Sequence, residues 1–145
     1  MAVIAIVGAG MMGSAMSVPA RDRGHTVRLV GTHLDREIIG ALQRTGVHPA
    51  MRRALPDGVE FYQIEEVRDA LLGADLVIGG VSSFGVSWFG NEILPLIPDG
   101  VPLLSVTKGL ELLPDGSLRT FPETLSALLP KGKAQGAAAL FAAFE

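Results

Sequence analysis

A chain of 145 residues, 48% of them hydrophobic, is long enough for one domain with a buried core. Its formal net charge of −3 offers no broad basic surface, which argues against nucleic acid as a partner. The chain has no cysteine and its three histidines are widely spaced, so no metal site is expected. No apolar run comes near the roughly 18 residues of a membrane span, so no membrane partner is expected and a cytoplasmic protein is favoured.

The first predicted element is a buried strand at residues 2–7, followed directly by a Gly-x-Gly-x-x-Gly turn. In such a turn Gly8 permits the tight bend, Gly10 lets the backbone approach a pyrophosphate, and Gly13 lets the next helix lie against the strand. A helix predicted at residues 11–23 would point its unpaired N–H groups at that phosphate. The alternative is a tight strand–helix turn that binds nothing, but the βαβ context favours a dinucleotide site.

The next elements continue the alternation of helix and strand. Pro19 is expected to kink the first helix, and residues 25–30 form the second strand. A helical stripe with residues four apart follows, made of Leu34, Ile38 and Leu42. Beyond a loop region, helices are predicted at residues 65–72, at 86–96 and from Thr120, and strands at 59–62, 76–81 and 102–107. Val67, Leu71 and Leu72 are expected to face inward.

This alternation predicts a doubly wound, parallel α/β sheet of the Rossmann type with strand order 3-2-1-4-5. The dinucleotide-binding domain is expected over residues 1–130. Residues 131–145 are Ala-rich, show no clear strand and are interpreted as an unmatched tail, so the sheet is expected to be incomplete at its C-terminal end.

The loops at the carboxyl ends of the strands are expected to carry the site. An NAD-selective site usually places a carboxylate about 20 residues beyond the glycines, where this chain has Gly31 and Thr32. Asp35 lies one helical turn later and is expected to substitute poorly. Thr32, His33 or Arg36 are therefore candidates for contacting a 2′-phosphate, with a solvated Arg36 as the alternative, and both NAD and NADP stay open.

Two later loops complete the predicted site. Ser82 and Phe84 follow the fourth strand, where they would contact the cofactor or serve only as a loop serine and a packed aromatic. Lys108 follows the fifth strand and would orient an anionic or hydroxyl-bearing substrate, unless it is a surface lysine. The candidate cofactor-binding residues are Gly8, Ala9, Gly10, Met11, Met12, Gly13, Thr32, His33, Arg36, Ser82, Phe84 and Lys108.

Four stretches of the sequence together resemble a known family: Gly-Ala-Gly-Met-Met-Gly-Ser-Ala at 8–15, Gly-His-Thr-Val-Arg-Leu-Val-Gly-Thr at 24–32, Gly-Ala-Asp-Leu-Val-Ile at 73–78, and Ser-Val-Thr-Lys-Gly-Leu-Glu at 105–111. They are similar to the cofactor domain of NAD(P)-dependent glycerol-3-phosphate dehydrogenase. His48-Pro49 and Leu55-Pro56 fall where that family has similar pairs, whereas Ser82 stands where it usually has proline.

The resemblance implies a phosphorylated small-molecule substrate. The implied reaction interconverts sn-glycerol 3-phosphate and dihydroxyacetone phosphate by hydride transfer with NAD(P), in glycerophospholipid synthesis. The resemblance also implies a lysine matching Lys108 in the substrate site and a homodimer for a full-length protein. The family's helical substrate domain, with its catalytic lysine and its phosphate-binding arginine and asparagine, has no counterpart here. No catalytic residue is therefore expected in this chain, which is interpreted as a fragment without turnover of its own. A non-catalytic NAD(P)-binding module and a ketopantoate-reductase-like NADPH enzyme are the alternatives.

Overall fold

The computed structural model describes residues 1–130 and the strand Leu140–Ala142. In chain order the strands of these residues are β1 (Val3–Val7), β2 (Thr26–Val30), β3 (Val47–His48), β4 (Arg53–Ala54), β5 (Val59–Tyr62), β6 (Leu76–Gly79), β7 (Leu103–Ser105), β8 (Leu110–Leu112), β9 (Leu118–Thr120) and β10 (Leu140–Ala142). The α-helices are α1 (Met11–Ala15), α2 (Ser17–Asp22), α3 (Arg36–Thr45), α4 (Val67–Leu71), α5 (Val86–Trp88) and α6 (Phe121–Ala127).

The central sheet is parallel and has the strand order β5-β2-β1-β6-β7-β10. Its first five strands reproduce the predicted order 3-2-1-4-5, which confirms the doubly wound fold. β10 pairs in parallel with β7, Leu140 opposite Leu103, and corrects the expectation that the tail holds no strand. The alanine run around β10 carries little β-propensity, so the pairing depends on the edge that β7 offers rather than on a local signal.

β1 lies in the middle of the sheet and has a hydrophobic core on each face. Ala5 and Val7 pack into one core with Phe89 and Leu103. Ile6 packs into the other, which also contains Leu29, Ile39 and Leu42. Alternate residues of a strand point to opposite faces, so a strand covered on both sides must be apolar throughout. This is why β1 reads as an unbroken apolar run.

The first predicted helix is divided in two at Met16, between α1 and α2. The division places Pro19 in the first turn of α2, where its missing N–H is not needed. The disruption predicted at Pro19 therefore occurs one turn earlier in the chain.

Two predicted core leucines are instead exposed. Leu34 is 82% exposed and precedes α3, which buries Ile39 and Leu42. Leu72 is 74% exposed because the chain leaves α4 there in an extended conformation. The apolar pattern thus continues beyond both helices, to Leu34 before α3 and to Leu72 after α4.

The predicted helix at residues 86–96 is irregular. A 3₁₀ turn at Ser83–Gly85 leads into α5, a π-turn follows at Phe89–Ile93, and a second 3₁₀ turn ends at Leu96. The sequence analysis did not predict the antiparallel hairpins β3–β4 and β8–β9. Within the residues that the structure describes, no helix combines the length and apolar character needed to cross a bilayer.

Candidate functional site at the carboxyl edge of the sheet

The glycine turn after β1 is built from main-chain contacts. Gly8 has φ +114°, and a Cβ there would lie 2.7 Å from the Gly80 carbonyl group. A Cβ on Gly13 would lie 2.0 Å from the Gly8 oxygen. By contrast, a Cβ on Gly10 would meet nothing within 4 Å. The fold itself therefore requires glycine at positions 8 and 13, but not at position 10.

Both main-chain polar groups of Ala9 are held by side chains. Its N–H donates to Asp35 Oδ2 at 3.1 Å, and its carbonyl accepts from Ser14 Oγ at 3.0 Å and from His48 Nε2 at 2.8 Å. The Ala9 side chain is fully buried. Ala9 therefore shapes the turn from inside, and the N–H groups that have no partner within a helix are those of the following first turn.

Met11 and Met12 begin α1 with exposed side chains, 62% and 45% accessible. Their backbone N–H groups belong to the first turn of α1, where they have no partner within the helix.

The loop after β2 folds back onto the glycine turn through Asp35. Asp35 Oδ2 accepts from the Thr32 N–H at 2.8 Å and from Thr32 Oγ1 at 3.0 Å, in addition to the Ala9 N–H. Asp35 precedes α3 and lines the cavity described next. That it substitutes only poorly for a ribose-binding carboxylate stays a prediction.

A cavity of about 430 Å³ opens between the glycine turn, the loop after β2 and the loop after β6. This volume lies within the ordinary range for small-molecule sites. Six of the predicted cofactor residues line it: Gly8, Gly10, Thr32, His33, Ser82 and Phe84. The other lining residues are Leu34, Asp35, Gly80, Val81, Gly85 and Trp88.

The outer wall of the cavity is aromatic. His33 and Trp88 meet with ring centroids 5.5 Å apart and planes at 60°. Phe84 is 97% exposed at the rim, so it is not the packed aromatic of the alternative reading. The loop after β2 is therefore in side-chain contact with α5 across the cavity.

Arg36 does not belong to this lining. Its guanidinium pairs with Glu65, and this contact raises the pKa of Arg36 and lowers the pKa of Glu65. Both side chains are more than half exposed. The structure therefore places Arg36 as the predicted alternative did, as a solvated helix residue.

Lys108 lies in the loop after β7, is exposed and is likewise outside the cavity lining. The preceding residue ties that loop to the site, because Thr107 Oγ1 donates to the Val81 carbonyl at 2.7 Å. Lys108 is thus brought to the same edge of the sheet as the glycine turn without entering the cavity.

The comparisons with known proteins decide the family. A family model described as "NAD-dependent glycerol-3-phosphate dehydrogenase N-terminus" matches residues 3–140. This chain belongs to that family. The match runs past residue 130, where the sequence analysis ended the cofactor domain, and reaches the first residue of β10.

Individual relatives agree with the family match. The chain is 39% identical to the NADP(+)-dependent glycerol-3-phosphate dehydrogenase of Archaeoglobus fulgidus, over 85% of this chain and 36% of that protein. It is similar to the crystal structure of glycerol-3-phosphate dehydrogenase from Coxiella burnetii, with a TM-score of 0.72 and 26% identity over 87% of this chain and 37% of that one. A ketopantoate reductase from Ralstonia eutropha shares the fold alone, with a TM-score of 0.59 and 24% identity over 87% of this chain and 38% of that one.

The chain spans about a third of the length of the curated relatives that it matches. In a glycerol-3-phosphate dehydrogenase relative, the described region therefore corresponds to the N-terminal part. Among the residues described here, no cluster of three metal-ligating side chains is present.

Sequence reasoning missed several residues of this dehydrogenase-family site. Gly80 carried a usable signal, because glycine at a strand end marks a close approach of another backbone. Trp88 carried none, since a single tryptophan reveals its neighbours only when the chain is folded. His48 was noted only within the His48-Pro49 pair of the family resemblance, which does not indicate its contact with the Ala9 carbonyl.

Proposed function

We propose that this chain binds NAD or NADP in the 430 Å³ cavity, with the pyrophosphate against the main-chain amides of residues 10–13. The amides of a helix's first turn have no partner within the helix and carry its positive end, which suits a phosphate. Cavity volume, the glycine turn and the family support this proposal.

Gly10 is the observation that carries the proposal. Gly10 is the N-cap residue of α1, and the helix has no side-chain hydrogen bond at this cap. Glycine at an N-cap makes a helix only slightly less stable than the side chains that usually cap it. Since a Cβ at position 10 meets no atom of the protein, the protein's own packing does not explain the glycine. A ligand backbone that lies against this surface does.

The ribose end of the site accommodates either cofactor. Thr32 and His33 line the cavity at the end of β2, and neither side chain carries a fixed negative charge. The carboxylate of Asp35 is present, but its Oδ2 already accepts three hydrogen bonds from Ala9 and Thr32. The Archaeoglobus relative is named for NADP, which agrees with a site that admits a 2′-phosphate.

For the whole protein we propose the reversible interconversion of sn-glycerol 3-phosphate and dihydroxyacetone phosphate by hydride transfer with NAD(P), in the supply of glycerophospholipid precursors. The nicotinamide supplies or accepts the hydride. Within this chain Lys108 is proposed to contact the phosphorylated substrate, supported by its place after β7 and by the family. The catalytic groups would lie in the part of the relatives that this chain does not span. The homodimer and the cytoplasmic location remain predictions.

The binding proposal is tested by Gly10→Val. The branched side chain would fill the surface on which the phosphate lies, so NADH and NADPH affinity should fall at least about tenfold while the fold persists. Gly40→Val is the matched control, because Gly40 lies in α3 away from the cavity lining. Affinity is measured by nucleotide fluorescence titration. Unchanged affinity in Gly10→Val would rule out the phosphate cradle.

The substrate role of Lys108 is tested in a chimaera that carries a family substrate domain after β10. Lys108→Ala should raise KM for dihydroxyacetone phosphate at least about tenfold and leave NADH affinity near that of the parent chimaera. A non-catalytic module predicts no turnover in the parent chimaera. Full activity in Lys108→Ala would remove this residue from the substrate site.

A further inference from the structure

We propose that His48 is a positioning residue for the nucleotide phosphates, an inference that rests on the proposed function. His48 comes from the β3–β4 hairpin, 39 residues from Ala9 in sequence, and its side chain is fully buried. It contacts no cavity surface and acts through the Ala9 carbonyl.

The hydrogen bonds fix the tautomer of His48. A carbonyl can only accept, so Nε2 carries the proton and donates to Ala9 O at 2.8 Å. Nδ1 is then the acceptor, and it receives the Ala50 and Met51 N–H groups, both at 3.2 Å. Both ring nitrogens are satisfied, so the imidazole is locked in one orientation.

This lock fixes the direction of the Ala9 carbonyl. His48 and Ser14 both donate to that carbonyl, while Asp35 accepts the Ala9 N–H, which belongs to the preceding peptide. Because the Ala9 carbonyl and the Gly10 N–H share one peptide plane, fixing the carbonyl also fixes the direction of the Gly10 N–H, where α1 begins. Without the His48 bond the carbonyl keeps only the longer contact from Ser14 Oγ at 3.0 Å, so this peptide is held less firmly.

The β3–β4 hairpin holds His48 in place through its own main-chain hydrogen bonds. The Leu55 N–H donates to the Gly46 carbonyl at 2.9 Å and closes the segment, and Arg52 donates its N–H to the His48 carbonyl at 2.8 Å. Arg52 adopts φ +52°, a conformation that side chains rarely take, so the turn holds His48 at a conformational cost. The β3–β4 hairpin forms a sheet of its own, so the central sheet does not require it between α3 and β5.

Two variants separate the two hydrogen-bonded sides of the ring. His48→Gln keeps an N–H donor that can reach Ala9 O, whereas His48→Asn keeps an acceptor for the hairpin amides and is too short for Ala9. We expect His48→Asn to weaken NADPH and NADH binding about tenfold and His48→Gln to restore most of it. The control is His25→Gln, since His25 Nδ1 accepts the Ala2 N–H at the opposite end of β1.

The ligand-free protein gives a second readout. Backbone amide resonances of residues 10–13 should shift in His48→Asn and return toward wild type in His48→Gln, a pattern that a general loss of stability would not produce. The inference would be overturned if His48→Asn bound NADH and NADPH as tightly as wild type does. It would also be overturned if the two variants shifted the amide resonances equally. If wild-type chain bound neither nucleotide, the proposed function would fall, whereas the ligand-free amide resonances would still decide whether His48 orients the turn.

Discussion

The glycine turn and the β8–β9 hairpin stand at the same edge of the sheet but are stabilised in opposite ways. The turn depends on main-chain atoms in contact, with Gly8, Gly13 and Gly80 leaving no room for a Cβ. The hairpin depends on side chains, since Glu111 Oε2 accepts from Arg119 Nη2 at 2.9 Å and from Thr124 Oγ1 at 2.5 Å.

The β8–β9 hairpin also exposes its apolar face and covers its charged one. Its charged pair faces α6, while Leu110, Leu112 and Leu118 are more than half exposed on the other face. The comparison teaches that the backbone contacts at Gly8, Gly13 and Gly80 tolerate almost no added volume, whereas the side-chain pairing of the hairpin responds to charge and pH and tolerates changes on its outer face.

The largest effect within the glycine turn is expected at Gly13. Gly13→Ala would place a methyl group 2.0 Å from the Gly8 oxygen, so the free energy of unfolding should fall by about 3 kcal/mol. Gly10→Ala, three residues earlier with open space around its Cβ, should change it by less than about 1 kcal/mol. Urea denaturation measures both. Equal losses would show that the turn is not set by main-chain contact.

A smaller effect is expected at the helix that supports the hairpin. Thr120 caps α6 by accepting the Glu123 N–H, and the Glu123 carboxylate accepts the Thr120 N–H at 2.8 Å. Thr120→Ala should cost about 1 kcal/mol in urea unfolding. Ser126→Ala, on the exposed side of the same helix, is the control and should be nearly neutral. A cost at Ser126 as large as at Thr120 would contradict the capping role.

The pH response should distinguish the two regions. The hydrogen bond from Thr124 and then the Arg119 guanidinium lower the pKa of Glu111 below its ordinary value of 4.5. A carboxyl whose pKa is lowered on folding stabilises the native state above its unfolded pKa, and this contribution is lost as pH falls through the folded value.

The Tm of wild type should therefore exceed that of Glu111→Gln at pH 7, and the gap should close as pH falls below about 4.5. The effect is modest, since solvent screens this partly exposed pair. Thermal scans between pH 7 and pH 3 measure it. A gap that is constant with pH would mean that the Glu111 charge does not contribute.

The smallest effect is expected on the outer face of the hairpin. Leu112 is 70% exposed, so Leu112→Ser should change the free energy of unfolding by less than about 0.5 kcal/mol. Leu103, in the neighbouring strand β7, is 1% exposed, and Leu103→Ala should cost about 2–5 kcal/mol. Circular dichroism in urea measures both. A large loss at Leu112 would show that this face is covered in solution.

Much of the fold could be predicted because its signals are local. A strand buried on both faces must be apolar, a tight turn before a helix needs glycine, and a proline must lie where no N–H is required. These constraints gave β1, β2, β5, the strand order and the start of α6. They failed at Leu34 and Leu72, where apolar periodicity continued past the points at which the backbone leaves the helix.

The amino-acid sequence alone determined the first five strands of the sheet, the roles of Gly8 and Gly13 in the turn and the family resemblance, because each rests on a local pattern of residues. Only the tertiary structure decided that β10 joins the sheet beside β7, and that Arg36 pairs with Glu65 outside the cavity. It also decided that His48 reaches the Ala9 carbonyl. The physical reason is that a hydrogen bond or a steric contact depends on distance in space, and residues 39 apart in sequence carry no local mark of being 2.8 Å apart when folded.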